Sequence, residues 1–187
     1  MREWLSNYIA EHTRVIQSLD QDAVVSLIEM VKDVRSEDHQ IFVIGNGGSA
    51  ACSGHLAVDL GKGASFGKEK RFRVFSPVDN VSWLTAIAND LSYEDIFSEQ
   101  IENFASPGDL LLAISVSGSS PNLVKAVDRA KSLGLKTSAI VGDKNGILIN
   151  MVDHVIIVPS RHYGHVEDIH TAICHMIAYY FIEEVRS

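Results

Sequence analysis

Residues Ile41 to Ile44 form a run of large apolar side chains, and the chain passes from them directly into Gly45-Asn-Gly-Gly-Ser49. A strand this apolar is one covered on both faces. The glycines allow a tight turn and leave no Cβ in the way of a ligand. Ser49 is placed to cap the helix that follows, or to bind an anion at its N-terminus. That helix carries His55 and Asp59, four residues apart and so on one face. The same grammar recurs downstream. Leu110–Ser115 is apolar, Ser117-Gly-Ser-Ser120 follows, and Pro121 stands at a first helical position.

The remaining chain fits this frame. Leu5, Tyr8, Ile9, His12, Val15, Ile16 and Leu19 recur at helical spacing and predict an amphipathic helix over residues 2–19. Asp20 suits the cap of a second helix, with Ala23, Val24, Leu27, Ile28, Val31 and Val34 on its apolar side. Strands are predicted at Gln40–Gly45, Arg71–Ser76, Leu110–Ser115, Lys136–Val141 and His154–Val158. The intervening helices are the motif helix to Leu60, one capped by Asp79 and broken over 89–93, one over 94–104, and one from Pro121 to Leu133 that Gly134 stops. The last is predicted from Val166 to Val185. Gly61–Lys70 reads as a polar, mobile loop. Strands alternate with helices and no hairpin signal appears. The expected fold is therefore α/β: a three-layer α/β/α sandwich around a five-stranded parallel sheet. Residues 1–187 read as one domain, with the helical pair in 1–36 added to cover a sheet face or build an oligomer.

Composition limits the function. The 187 residues suffice for one substantial core. The net charge of −8, with no long basic run, argues against a nucleic-acid partner. No apolar run is long enough to span a membrane, and the first residues lack a signal-peptide core. Two cysteines are too few for a disulfide framework, which fits a reducing compartment. A cytoplasmic protein is expected.

Ser115, Ser117, Ser119 and Ser120 place four hydroxyls at a helix N-terminus, an arrangement suited to an anion with several oxygens. The loop lacks the lysine of a nucleotide-binding P-loop. The last helix holds Glu167, Asp168, His170, Cys174 and His175. Singly, the acids suit a helix first turn and His175 suits a core. Together, two helices each bring a histidine and a carboxylate. His55, Asp59, Glu167 and His175 make a nitrogen and oxygen donor set for zinc or a similar divalent ion. The same set serves general acid–base catalysis without metal. Cys52 and Cys174 read as small buried hydrophobes, with soft metal ligation the alternative. Lys62, Lys68, Lys70, Arg71 and Arg73 either steer a phosphate or decorate a solvated loop.

These segments, with Thr85–Asp90 and Tyr93–Phe97, resemble the sugar isomerase (SIS) domain family, and within it the phosphoheptose isomerases. The resemblance covers nearly the whole chain. It implies a homotetramer with active sites at subunit interfaces, assembled with help from the N-terminal helices. It implies that the loop Ser115, Val116, Ser117 and Ser120 holds a sugar phosphate, with Asn46, Gly47, Gly48 and Ser49 beside it. Asn89 and Asp90 fall on positions lining the site. His175 matches the catalytic histidine, Asp59 the position of the base, and Glu167 a second candidate base. In members that carry zinc, His55, Asp59, Glu167 and His175 fall on the ligand positions. The implied reaction is sedoheptulose 7-phosphate to D-glycero-D-manno-heptose 7-phosphate through an enediol, supplying heptose for surface polysaccharide. The chain departs from the family pattern with Asp59 for a glutamate, Glu167 for a glutamine and Val116 for a threonine. An arginine that often follows the motif helix has no counterpart near Gly63. Two other roles suit this fold: a regulator binding a replication-initiator protein, against which the two retained pairs speak, and a phosphosugar sensor.

Overall fold

The structure, a computed structural model, describes residues 1–183. Among the described residues there are five strands: β1 (Gln40–Gly45), β2 (Arg73–Phe75), β3 (Leu110–Ser115), β4 (Lys136–Gly142) and β5 (His154–Val158). They form one sheet in the order β2-β1-β3-β4-β5, with every pairing parallel. Seven α-helices among the described residues surround it: α1 (Arg2–Gln17), α2 (Gln21–Ser36), α3 (Gly48–Val58), α4 (Val81–Asp90), α5 (Ser98–Phe104), α6 (Pro121–Ser132) and α7 (Tyr163–Glu183). Val185, the expected end of the last helix, lies outside the described residues.

Strand alternation divides the core in two. Ile41, Val43, Leu110, Leu112, Ile114 and Ile156 point to one face, where α2, α3 and α7 bury Leu27, Val31, Leu56, Ile173 and Ile177. Phe42, Ile44, Leu111, Ala113 and Val141 point to the other, against Ile101 of α5 and Leu123, Ala126 and Val127 of α6. Each fully buried large side chain contributes about 1.5–3 kcal/mol over its exposed state. With both faces covered in this way, the expected three layers are present.

The strand order reverses direction between β1 and β3. Beyond their carboxyl ends the following loops diverge and open a crevice, the usual ligand site of an open parallel sheet. Both the glycine turn and the serine loop leave the sheet at this point.

Five local readings change. The motif helix does not stop at Leu60 but widens into a π-helical turn over Asp59–Gly63. The next stretch is anchored, because the buried Ser65 hydroxyl donates to the Leu60 carbonyl and accepts from the Phe72 N–H, both at 2.8 Å. Asn80, not Asp79, caps α4, since its Oδ1 is the atom that reaches the Trp83 N–H at 3.1 Å. That helix runs on to Asp90, and Ser92 then caps a short 3-10 turn before α5 begins at Ser98. The face predicted for α1 is only partly covered. Val15 is buried, but Leu5 and Ile9 are 51% and 55% exposed, and Trp4, outside the predicted face, is 66% exposed. Among the described residues no helix is long and apolar enough to cross a membrane.

Candidate active site

At the crevice, a cavity of about 150 Å³ is lined by Asn46 and Ser49 from the glycine turn and by Ser115, Val116, Ser117 and Ser120 from the serine loop. Tyr163 and Glu167 close it from α7. The loop is folded by its own hydroxyls. Ser115 Oγ accepts from the Gly118 N–H at 3.0 Å, and Gly118 holds φ +63°. Ser120 occupies the cap position of α6 without capping that helix through its side chain, so its hydroxyl is free for a ligand. An anion here meets hydroxyls and the positive end of a helix together. No Lys or Arg lines this cavity among the described residues. Of the basic residues singled out in the sequence, Lys68 donates to the Phe181 carbonyl and Arg73 to the Asp38 carbonyl, in structural roles.

The glycine turn is shaped for close approach. Gly47 holds φ +55°, and a Cβ on Gly48 would stand 2.8 Å from Glu167 Oε1. Glu167 therefore reaches the cavity across a surface that only glycine leaves open. The two loops are tied by a pair of amides. Asn46 Nδ2 donates to Asn122 Oδ1 at 2.8 Å, and Asn122 Nδ2 donates back to Asn46 Oδ1 at 2.9 Å. The Tyr93 hydroxyl adds a bond to Asn46 Oδ1 at 3.1 Å. Asn122 and Tyr163 carried no signal in the sequence, because neither belongs to a periodic pattern or a recognisable motif. Asn89 and Asp90 lie elsewhere, exposed at the end of α4 and bonded to each other.

The second constellation joins α3 to α7. His55 Nε2 stands 3.1 Å from His175 Nε2, and Asp59 Oδ2 is 3.2 Å from the first and 3.8 Å from the second. Asp59 Oδ2 is shielded from solvent yet accepts no well-formed hydrogen bond. A tetrahedral zinc ion with bonds of about 2.0–2.1 Å holds its ligand atoms roughly 3.3 Å apart. The three donors match that spacing, and a cation satisfies all of them where one proton satisfies only a pair. The residues fit a divalent metal. Glu167 is not in this cluster. It lies eight residues before His175, about 12 Å along the helix axis.

Between the two constellations a further cavity of about 180 Å³ is lined by Ser49, Cys52, Glu167, His170 and Thr171. His170 is 1% exposed and neither ring nitrogen finds a partner. Burial pushes its pKa down to about 4, so it is neutral at pH 7. Cys52 and Cys174 meet here with their sulfurs 3.4 Å apart. The hydrogen bond between them lowers the Cys52 thiol and raises Cys174 well above the ordinary thiol value.

Comparisons with known proteins agree with this geometry. The SIS domain family model matches residues 4–142. A probable phosphoheptose isomerase of Thermoplasma volcanium is 37% identical over 174 residues, covering 92% of this chain and 88% of that protein. The phosphoheptose isomerase of Geotalea daltonii is 35% identical over 181 residues, covering 95% and 93%. The solved structure of phosphoheptose isomerase GmhA from Neisseria gonorrhoeae superposes with a TM-score of 0.88 at 26% identity, covering 96% and 97% of the two chains. On this family match and these relatives, the chain belongs to the SIS domain family, in its phosphoheptose isomerase branch.

Proposed function

We propose that the protein isomerises sedoheptulose 7-phosphate to D-glycero-D-manno-heptose 7-phosphate in the cytoplasm, for heptose biosynthesis. One observation carries this reading: a hydroxyl-lined anion cavity at the carboxyl end of the sheet and a His–Asp–His cluster both draw residues from α7 and from the segment of α3 and the turn that continues it. A scaffold has no need of such a cluster. Ser115, Ser117, Ser120 and the start of α6 hold the phosphate and fix the open-chain sugar across the crevice. Glu167 lines the phosphate cavity, which supports it as the base that removes the proton next to the carbonyl. His175 moves the proton between the two sugar oxygens. Asp59 places its Oδ2 beside both imidazoles, 3.2 Å from His55 Nε2 and 3.8 Å from His175 Nε2. His55, Asp59 and His175 would hold zinc, which when bound supplies Lewis-acid polarisation of the sugar carbonyl.

The active unit is a homotetramer with interfacial sites. Trp4, Leu5 and Ile9 on α1 supply an apolar face for that assembly. Asn89 and Asp90, exposed on α4, are then available to line a neighbouring subunit's crevice. Incubation with sedoheptulose 7-phosphate, in parallel arms with zinc and with chelator, tests the reaction. Aldose phosphate is the expected product in the zinc arm, and no product in either arm refutes the heptose assignment. Sedimentation of a Trp4→Ser/Ile9→Ser variant tests the assembly, with dissociation expected.

A further inference from the structure

The chain has two cysteines, 122 positions apart, and the fold brings them into contact. Cys52 lies on α3 one turn before His55. Cys174 lies on α7 immediately before His175. Their sulfurs are 3.4 Å apart, while a disulfide needs about 2.05 Å. An approach of roughly 1.4 Å therefore closes the bond, a distance that side-chain rotation and a small helix shift supply together.

The two sulfurs differ in access. Cys52 is 8% exposed and lines the cavity between the two constellations, next to the Thr171 hydroxyl at 3.9 Å. Cys174 is 1% exposed, does not line that cavity, and contacts Cys52. A cavity of about 180 Å³ with a polar lining has ample room for a small polar molecule such as a peroxide. One sulfur is thus placed to meet a small oxidant and the other to resolve the product.

We propose that Cys52 and Cys174 form a reversible oxidative modification site whose substrate is a small peroxide, with hydrogen peroxide the simplest. The Cys52 sulfur attacks one peroxide oxygen, the O–O bond breaks, and the departing hydroxide leaves as water with the thiol proton. Cys52 is then a sulfenic acid. The Cys174 sulfur attacks the Cys52 sulfur, the S–O bond breaks, and a second water leaves with the second thiol proton. Two thiols are oxidised to one disulfide and one peroxide is reduced to two waters. The bond ties α3 to α7 beside His55 and His175, and so displaces the His–Asp–His cluster.

The site is tested by treating the purified full-length protein with stoichiometric hydrogen peroxide. Intact mass should fall by two hydrogens, and a non-reducing peptide map should join the Cys52 peptide to the Cys174 peptide. Dithiothreitol should restore both free thiols. In Cys174→Ser, or Cys174→Ala if the former folds poorly, Cys52 should instead be trapped as a sulfenic acid by a dimedone probe. Two thiols that stay free, or oxidation to sulfinic acid without a cross-link, overturns the proposal. The functional consequence rests on the isomerase reading. Disulfide formation should lower isomerase activity roughly ten- to a hundredfold, recovered on reduction. A cross-linked protein with unchanged activity removes that consequence. A protein that shows no isomerase activity even when reduced indicts the isomerase reading, because the mass and peptide measurements stand without it.

Discussion

The phosphate cavity and the His–Asp–His cluster both draw on α3 and α7 but are built in opposite ways. The cavity is made of hydroxyls, backbone N–H groups and glycine surfaces, supplied by consecutive residues at helix starts. Its groups are uncharged apart from Glu167, and several are already paired among themselves, as in the Asn46–Asn122 tie and the Ser115 bond to Gly118. The cluster is made of three ionisable side chains from two helices, with side-chain exposures of 52%, 23% and 43%. Its donors face one another without mutual satisfaction, and so they hold affinity for a proton or a cation. Binding shape comes from where secondary structure begins and ends. Reactivity comes from side chains that only tertiary packing unites.

The sharpest way to break this division is to remove one cluster member. His175→Ala should lower kcat about a thousandfold, the middle of the range for loss of a positioned acid–base group. KM for the phosphosugar should change little, because the cavity keeps its hydroxyls. Thermal melting should also move little, since the ring is 43% exposed. Ser117→Ala is the mirror case, with a raised KM and a nearly unchanged kcat. Steady-state kinetics of the two variants decide the matter. If both change the same parameter, the regions do not act separately.

The same contrast explains how much was readable in advance. The strands β1, β3 and β5 were legible to the residue, because a buried parallel strand is a continuous apolar run. The serine loop and glycine turn were legible because each is a contiguous motif at a strand end. The pairing of His55 and Asp59 followed from helical spacing. What spacing does not carry is the meeting of α3 with α7. Cys52 and Cys174 each read as a lone buried hydrophobe, and only packing joins them. His175 was placed with Glu167 as one donor set, yet the rise of the helix puts Glu167 at the phosphate cavity instead. Asn122 shows the opposite limit. It is buried and central to the tie between loops, but a single amide after Pro121 has no pattern to betray it.

His170 sits at the boundary between the regions and gives a prediction about stability. Its folded pKa of about 4 lies below the ordinary histidine value of 6.5. Between those values the unfolded chain binds a proton that the folded chain does not. Stability is therefore full above pH 6.5 and is lost as pH falls towards 4, at about 1.4 kcal/mol per pH unit. From pH 7.5 to 5.0 the loss should be about 2 kcal/mol. Burial also lowers His154 and His165, which adds slope of the same sign. Urea unfolding across this range should show the loss, and His170→Leu should flatten it. An unchanged slope in that variant means that the His170 ring is hydrated or paired.

The smallest expected effect bears most directly on how the cavity takes its one charged group. In Gly48→Ala the new methyl stands 2.8 Å from Glu167 Oε1 and 3.1 Å from its Cδ. The atoms it meets are the end of a flexible side chain, so the helix is not disrupted and Glu167 gives way instead. Alanine is the better helix former by up to about 1 kcal/mol, so thermal stability should hold or rise. Activity should nevertheless fall roughly tenfold, because a base moved by part of an ångström loses alignment with the proton that it removes. The loss should appear in kcat with KM nearly kept, placing Glu167 functionally with the cluster although it lies in the cavity. A rise in KM alone would place it with the serines as a binding group. Unchanged kinetics would show that the close approach of Glu167 to Gly48 is incidental to turnover, leaving Asp59 as the base.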